Sequence, residues 1–178
     1  MAAARDNHKS VVWRGWILEV LGITDELTGL YNRQYFMHRL AEEVERVRRY
    51  GGALTLISLA LDNYEHMVAN DGRNKADTAL QQMAKALASR TRTSDIRARV
   101  EGGRLMIACV GTSLAQASWL ADALRGALPA VSAPVSLPMT CSFGVTEMVD
   151  GDTAGALISR ADKLLAEAIE DGGDAVIC

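Results

Sequence analysis

Eight consecutive residues, Leu54-Thr-Leu-Ile-Ser-Leu-Ala-Leu61, form an apolar run bounded by Gly51-Gly52 on one side and Asp62-Asn63 on the other. The run has the length of a strand, and it lacks the polar alternation of a strand with one wet face. It therefore predicts a central strand covered on both faces. A strand of that kind needs helices above and below its sheet, and the rest of the chain has to supply them. With 178 residues, 49% of them hydrophobic, the chain can bury one proper core and is short for two ordinary domains.

The segments around the run meet that demand. Phe36, Leu40, Val44 and Val47 recur at helical spacing and predict a helix from about Arg33 to Tyr50, ended by Gly51-Gly52. Leu80, Met83, Ala84 and Leu87 predict an inward face for a helix from Asp77 to Ser89. Strands at Ile96 to Val100 and Leu105 to Val110 flank Glu101-Gly102-Gly103, where glycine supplies the positive φ that a tight hairpin demands. A helix follows near Leu114 to Leu128. Pro129, Pro134 and Pro138 mark a stiff loop, Met139 to Met148 reads as a strand and Thr153 to Asp171 as the last helix. Ala175 to Cys178 adds a short edge strand. Local antiparallel pairing mixed with longer crossovers predicts a central mixed sheet with helices on its faces, in the α/β (α+β) class.

Residues 1–23 are set apart as an N-terminal segment, and residues 24–178 as the domain. Val11 to Ile23 is apolar, but it is too short to span a bilayer and is interrupted by Arg14 and Glu19. It predicts an amphipathic helix with Trp13, Trp16, Ile17 and Val20 on one side, packed on its own domain or serving as a dimerisation helix. No membrane insertion is expected.

Charge and cysteine usage exclude several classes of function. A net charge of −3 and a pI near 5.6 give no overall basic field, so nucleic-acid binding is not expected and any anion site must be local. Cys109, Cys141 and Cys178 are odd in number and widely spaced, as fits a reduced, cytoplasmic compartment. His8, His38 and His66 form no pair at metal-ligand spacing.

One nine-residue stretch is more specific. Asp25-Glu-Leu-Thr-Gly-Leu-Tyr-Asn-Arg33 closely resembles the DxLTGLxNR opening of GGDEF domains, the diguanylate cyclase family. The likeness continues through Asp62-Asn-Tyr64, Gly72, Asp77, Leu80, the hairpin, Ser142-Phe-Gly-Val145 and Ala161-Asp162, covering about Thr24 to Cys178. It implies a nucleotide-cyclase-like fold with a largely antiparallel sheet of about five strands flanked by helices, beside the extra N-terminal helix. It further implies a homodimer that joins two GTP molecules into cyclic di-GMP.

That reaction needs divalent cations held by carboxylates. In the family one such acid ends the first strand and another lies in the signature itself. Aligned without gaps, the first falls on Ala60, and the signature becomes Glu101-Gly102-Gly103-Arg104-Leu105, with Gly103 and Arg104 in place of its acids. Sliding by one residue replaces them with Arg104 and Leu105. The family's guanine-reading Asn falls on Val68, with Asn70 nearby, while the second guanine-reading acid is kept as Asp77. The triphosphate-holding cations near the last helix correspond to Ile169 and Gly173. Loss of several such groups together is expected to abolish turnover, so neither cyclase activity nor bound magnesium is expected.

The RxxD pair, Arg92-Thr-Ser-Asp95, stands at the position that in the family forms the inhibitory cyclic di-GMP site. An arginine fork can bond a guanine O6/N7 edge or a phosphate, and a carboxylate can accept from guanine N1–H and the amino group. Arg90, Arg97, Arg99 and Arg104 add positive charge nearby. Arg46 is either a second cation for the ligand, as on the corresponding family helix, or a helical arginine paired to Glu42 or Glu43. The family's helper arginine falls on Ala123, with Arg125 two residues on.

Three functions remain compatible with these residues. One is a non-catalytic cyclic di-GMP receptor that signals through a protein partner. Another is a nucleotide-independent interaction or dimerisation module, in which Arg92 and Asp95 pair with each other or solvate a helix-to-strand junction. The third is a GTP-sensing or residual enzyme using Asp77.

Overall fold

The computed structural model describes residues 22–127 and 139–178. The predicted N-terminal helix, but for its last two residues, and the proline-rich loop lie outside the described residues. Along the chain the elements are α1 (Arg33–Tyr50), β1 (Leu54–Leu61), α2 (Tyr64–Asn70), α3 (Arg73–Arg90), β2 (Ile96–Glu101), β3 (Arg104–Val110), α4 (Leu114–Ala127), β4 (Cys141–Glu147), α5 (Ala154–Glu170) and β5 (Val176–Ile177).

The strands form one sheet in the order β2-β3-β1-β4-β5, so the apolar run that predicts a covered central strand is the middle strand, with all eight residues buried. Pairing is antiparallel except between β4 and β5, which are parallel. Side chains alternate across the pleat, dividing the core into two layers. Ile57, Leu59, Leu105, Ile107 and Phe143 pack with Leu80, Met83, Leu87 and Leu124 of α3 and α4. Leu54, Leu56, Met106 and Ala108 pack on the opposite face with Phe36, Leu40, Val44 and Leu157 of α1 and α5. Burying a large aliphatic or aromatic side chain contributes roughly 1.5–3 kcal/mol, so these two layers dominate what holds the domain together.

Capping fixes the helix boundaries. The Asn32 side chain accepts from the Tyr35 N–H (2.9 Å) to start α1, and Gly51, at φ 73°, ends it. Thr153 accepts from the Ala156 N–H (3.1 Å) to start α5. The start of the domain is a tight turn in which Asp25 accepts from the Thr28 N–H (2.9 Å) and hydroxyl (2.7 Å). Tyr31 then lies along β2, its N–H donating to the Arg97 carbonyl (3.0 Å) while its carbonyl accepts from the Arg99 N–H (2.9 Å).

Beyond shifts of one or two residues at strand and helix ends, three features differ from the sequence expectation. The helix predicted from Asp77 begins a turn earlier, at Arg73. The short α2 has no counterpart in the predicted helices: seven residues of mixed polarity carry no clear 3.6-residue period, and only Tyr64 and Met67 are buried. The hairpin turn is tighter than Glu101-Gly102-Gly103, because Glu101 and Arg104 pair across the ladder and leave Gly102-Gly103 as the turn, with a register shift between Arg99 and Glu101.

Candidate functional site

Two regions gather the residues singled out in the sequence, and they lie at opposite ends of β3. The first surrounds the hairpin end of β1 and β3. Ala60 of β1 faces Arg104 of β3 on one side and Ser142 of β4 on the other, so these residues meet as cross-strand neighbours. Arg104 donates to Asp162 of α5 (2.5 Å) and to Glu101 (3.3 Å), and Asp162 also accepts from the Ser58 hydroxyl (2.8 Å). The Arg104 and Asp162 side chains are about two-thirds covered, and the Arg104 Nε is buried without a partner. A fixed side-chain cation therefore stands against Ala60, compensated by a carboxylate from the last helix. Glu101 also approaches Arg33 (3.7 Å).

The remaining positions of that region are committed within the fold. Asp62 accepts from the Ser142 hydroxyl (2.8 Å) and from the Asp174 N–H (2.9 Å), which fastens the end of β1 to the C-terminal loop. A side chain at Gly173 would begin 3.2 Å from the Asp62 carboxylate. Asp77 accepts from the Tyr64 hydroxyl (3.1 Å) and approaches Arg73 (3.9 Å). Burial, reinforced by that bond to Asp77, raises the Tyr64 pKa and keeps its hydroxyl a donor. The Tyr64 ring lies against the hairpin: a Cβ at Gly103 would fall 2.7 Å from the Tyr64 Cγ. Leu105 points into the core, Val68 packs at the core's margin, and the Asn70 amide donates to the His66 carbonyl (2.9 Å). Among the described residues, no three His, Cys, Asp or Glu side chains converge in a set that could hold a metal ion.

The second region lies beyond the C-terminal end of α3, over the far end of β3. Arg92 and Asp95 form a local turn: Asp95 Oδ2 accepts from the Arg92 N–H (2.8 Å), and the Asp95 N–H donates back to the Arg92 carbonyl (3.1 Å). Asp95 is only 5% exposed, and its Oδ1 is buried with no hydrogen-bond partner. Both residues line a cavity of about 420 Å³ with Arg90, Cys109, Gln116, Trp119 and Leu120. No hydrogen bond or ion pair among the described residues uses the guanidinium of Arg90 or Arg92. Burial pushes the Cys109 thiol up to about 12, so the sulfur in this wall is an inert hydrophobe.

The arginines grouped together in the sequence are separated here. Arg97 donates to Thr91 (3.1 Å) and the Ala88 carbonyl (3.3 Å), while Arg99 bridges Asp25 (3.2 Å) and the Gly102 carbonyl (3.0 Å). Arg104 belongs to the hairpin region. Only Arg90 joins Arg92 in the cavity wall. Arg46 lies on α1, in the opposite helical layer, paired to Glu43 (2.6 Å); within one copy of the chain it does not join Arg92 and Asp95. Arg125 pairs with Asp122 (3.5 Å) and Asp174 (3.4 Å). Sequence reasoning did not anticipate Asp162 as the counter-ion of Arg104, or Trp119 at the cavity. The signal for Trp119 was available: α4 buries Ala117, Ala121 and Leu124, a stripe that leaves position 119 on the outward side.

Comparison with known proteins gives a consistent picture. The family described as "Diguanylate cyclase, GGDEF domain" matches residues 22–175. Diguanylate cyclase DgcP of Pseudomonas aeruginosa is 34% identical over 157 residues, which are 85% of this chain and 23% of that protein. Response regulator PleD of Caulobacter vibrioides is 31% identical over 163 residues, 88% of this chain and 36% of that protein. The chain thus spans well under half the length of these two relatives. Among solved structures, diguanylate cyclase SiaD of Pseudomonas aeruginosa, in complex with its activator SiaC, superposes with a TM-score of 0.81 at 29% identity, covering 98% of this chain and 69% of that one. The GGDEF domain of DgcB from Caulobacter crescentus, in complex with c-di-GMP, has a TM-score of 0.83 at 19% identity, covering 88% and 92%.

Proposed function

The chain belongs to the GGDEF family of diguanylate cyclase domains, and from that premise we propose that it is a cytoplasmic member without cyclase chemistry, binding cyclic di-GMP through Arg92 and Asp95 and signalling through a protein partner. The observation that carries the loss of chemistry is the ion pair of Arg104 with Asp162, set against Ala60. A divalent cation does not suit that arrangement. The carboxylates it needs are absent at Ala60, Gly103 and Arg104, and the guanidinium would repel it. Asp77, the acid that resemblance links to guanine, is occupied by Tyr64 and Arg73.

Binding is supported by the second region. A buried carboxylate oxygen without a partner costs about 1–3 kcal/mol, and a ligand N–H would relieve that cost. Two uncommitted guanidinium groups at the same cavity suit the two phosphates of a cyclic dinucleotide. A ligand bound there changes signalling only if it favours one assembly with a partner over another.

The nucleotide-independent reading has one observation in its favour: the reciprocal Arg92/Asp95 turn is a sufficient local reason for both residues. Calorimetric titration with cyclic di-GMP separates the two. Saturable binding that is lost in Arg92→Ala is expected; no heat at high micromolar ligand, or unchanged binding in the variant, refutes the receptor. Incubation with radiolabelled GTP and magnesium is expected to give no cyclic product, and product formation would refute the loss of chemistry.

A further inference from the structure

Among the described residues, Trp119 is the only aromatic side chain in the wall of the Arg92/Asp95 cavity, and it is 74% exposed. The domain's own packing does not use it, since α4 is held to the sheet by Ala117, Ala121 and Leu124. An indole left largely in water beside a concave site is a large rigid apolar surface with only two torsions to fix on contact.

The rest of the wall limits what that surface can receive. Arg90 and Arg92 bring two cations, Asp95 brings a buried carboxylate with an unpartnered Oδ1, and Leu120 adds apolar surface. Gln116 accepts at its Oε1 from the Ser113 N–H (3.1 Å) and faces the Ser113 hydroxyl (3.3 Å), which leaves its amide NH2 available as a donor. One helical turn beyond Trp119 on the same side, Ala123 carries no polar group, and Arg125 is engaged with Asp122 and Asp174. A volume of about 420 Å³ is that of a small-molecule site, not of a macromolecular groove. A flat π surface beside two cations and a carboxylate acceptor matches a purine nucleotide: the base has a face to stack and N–H groups to donate, and the phosphate attracts the guanidinium groups.

We infer that Trp119 is the stacking platform for one purine base of the nucleotide held by Arg92 and Asp95, and so a determinant of its affinity. The inference rests on the cyclic di-GMP reading above and adds to it a residue that the RxxD pair does not contain. Because Trp119 is exposed and outside the packed stripe of α4, replacing it leaves the core intact.

The test is calorimetric titration of the full chain with cyclic di-GMP for the wild type, Trp119→Ala and Trp119→Phe. Base–aromatic stacking gives an expected weakening of roughly 5-fold to 100-fold in Trp119→Ala. Trp119→Phe, which keeps a π face, is expected to stay within about 5-fold of the wild type, since it forfeits only part of the stacking. Wild-type binding with equal affinity in Trp119→Ala overturns the stacking role and leaves the Arg92/Asp95 receptor standing. Equal weakening in Ala and Phe also overturns it, since a π face would then not be what the ligand uses. Absence of binding by the wild type overturns the receptor reading, and the stacking role with it.

Discussion

Replacing Gly103 with alanine isolates the contact that keeps the hairpin turn free of a side chain. The new Cβ would stand 2.7 Å from the Tyr64 Cγ and 2.8 Å from its Cβ, where carbon atoms normally settle at about 3.5–4.0 Å. Tyr64 cannot swing away cheaply: it is 6% exposed and its hydroxyl is tied to Asp77. Forcing an extra carbon into such a contact costs about 1–3 kcal/mol. Against this, alanine gains about 0.4–1 kcal/mol over glycine by restricting the unfolded chain. Gly103 is not among the positive-φ residues, so no backbone strain enters. The net expectation is a loss of about 1–2 kcal/mol, or roughly 2–8 °C in melting temperature for a domain of this size. Thermal or urea unfolding measures it, and a second comparison identifies the cause: in a Tyr64→Gly background, which removes the ring and the Cβ alike, the same substitution should cost nothing further. Gly103→Ala melting at or above the wild type, or costing as much without the ring, refutes the reasoning. Restoring an acid at position 103 meets the same steric cost before any metal could bind.

Two further substitutions probe the fold that holds both regions. A Cβ at Gly144 would fall 2.2 Å from the Ala161 carbonyl oxygen and 2.3 Å from the Leu165 nitrogen, so Gly144→Ala should separate α5 from β4 and destabilise by about 3 kcal/mol or more, read as a steep drop in melting temperature or in soluble yield. Arg160 donates to both Asp152 oxygens (2.7 and 3.1 Å), to Thr146 (2.7 Å) and to the Glu147 carbonyl (2.8 Å), and these bonds hold the Asp152 carboxyl below its ordinary pKa. That contribution is present above the unfolded value near 3.9 and is lost as the pH falls through the lower folded value. Arg160→Met should therefore destabilise by about 2 kcal/mol at neutral pH, with the gap to the wild type narrowing below about pH 4 to what the Thr146 and Glu147 bonds contribute; a gap independent of pH would refute the pairing.

The fold was legible where a single physical signal dominates. β1 was evident because eight apolar residues without alternation have few other uses, and α1 because its inward face repeats cleanly between Phe36 and Val44. The short α2 was not legible, since its place is set by Tyr64 and Met67 reaching the core rather than by any period of its own. At the candidate sites, the resemblance to GGDEF domains singled out Ala60, Arg104 and the Arg92/Asp95 pair, and local chain order is enough to bring Arg92 and Asp95 into one turn. Chain order could not sort the arginines. Arg97, Arg99 and Arg104 are near Arg92 in sequence, but the pleat and the hairpin twist direct them to Thr91, Asp25 and Asp162. The outward side of α4 was readable for Trp119, but its nearness to Arg92 was not, because that depends on how α4 packs beside α3 and the sheet.

The contacts of Tyr31 with β2 bear on how the sheet ends. β2 is the outermost strand, and its free side would otherwise offer the Arg97 carbonyl and the Arg99 N–H to any extended chain that came by. Tyr31 takes both. The segment from Asp25 to Arg33 thus works as a selvage, finishing the fabric so that it does not run on into a neighbouring molecule. Cutting the chain after this segment would leave every strand of the sheet intact and still produce a protein prone to pair edge to edge.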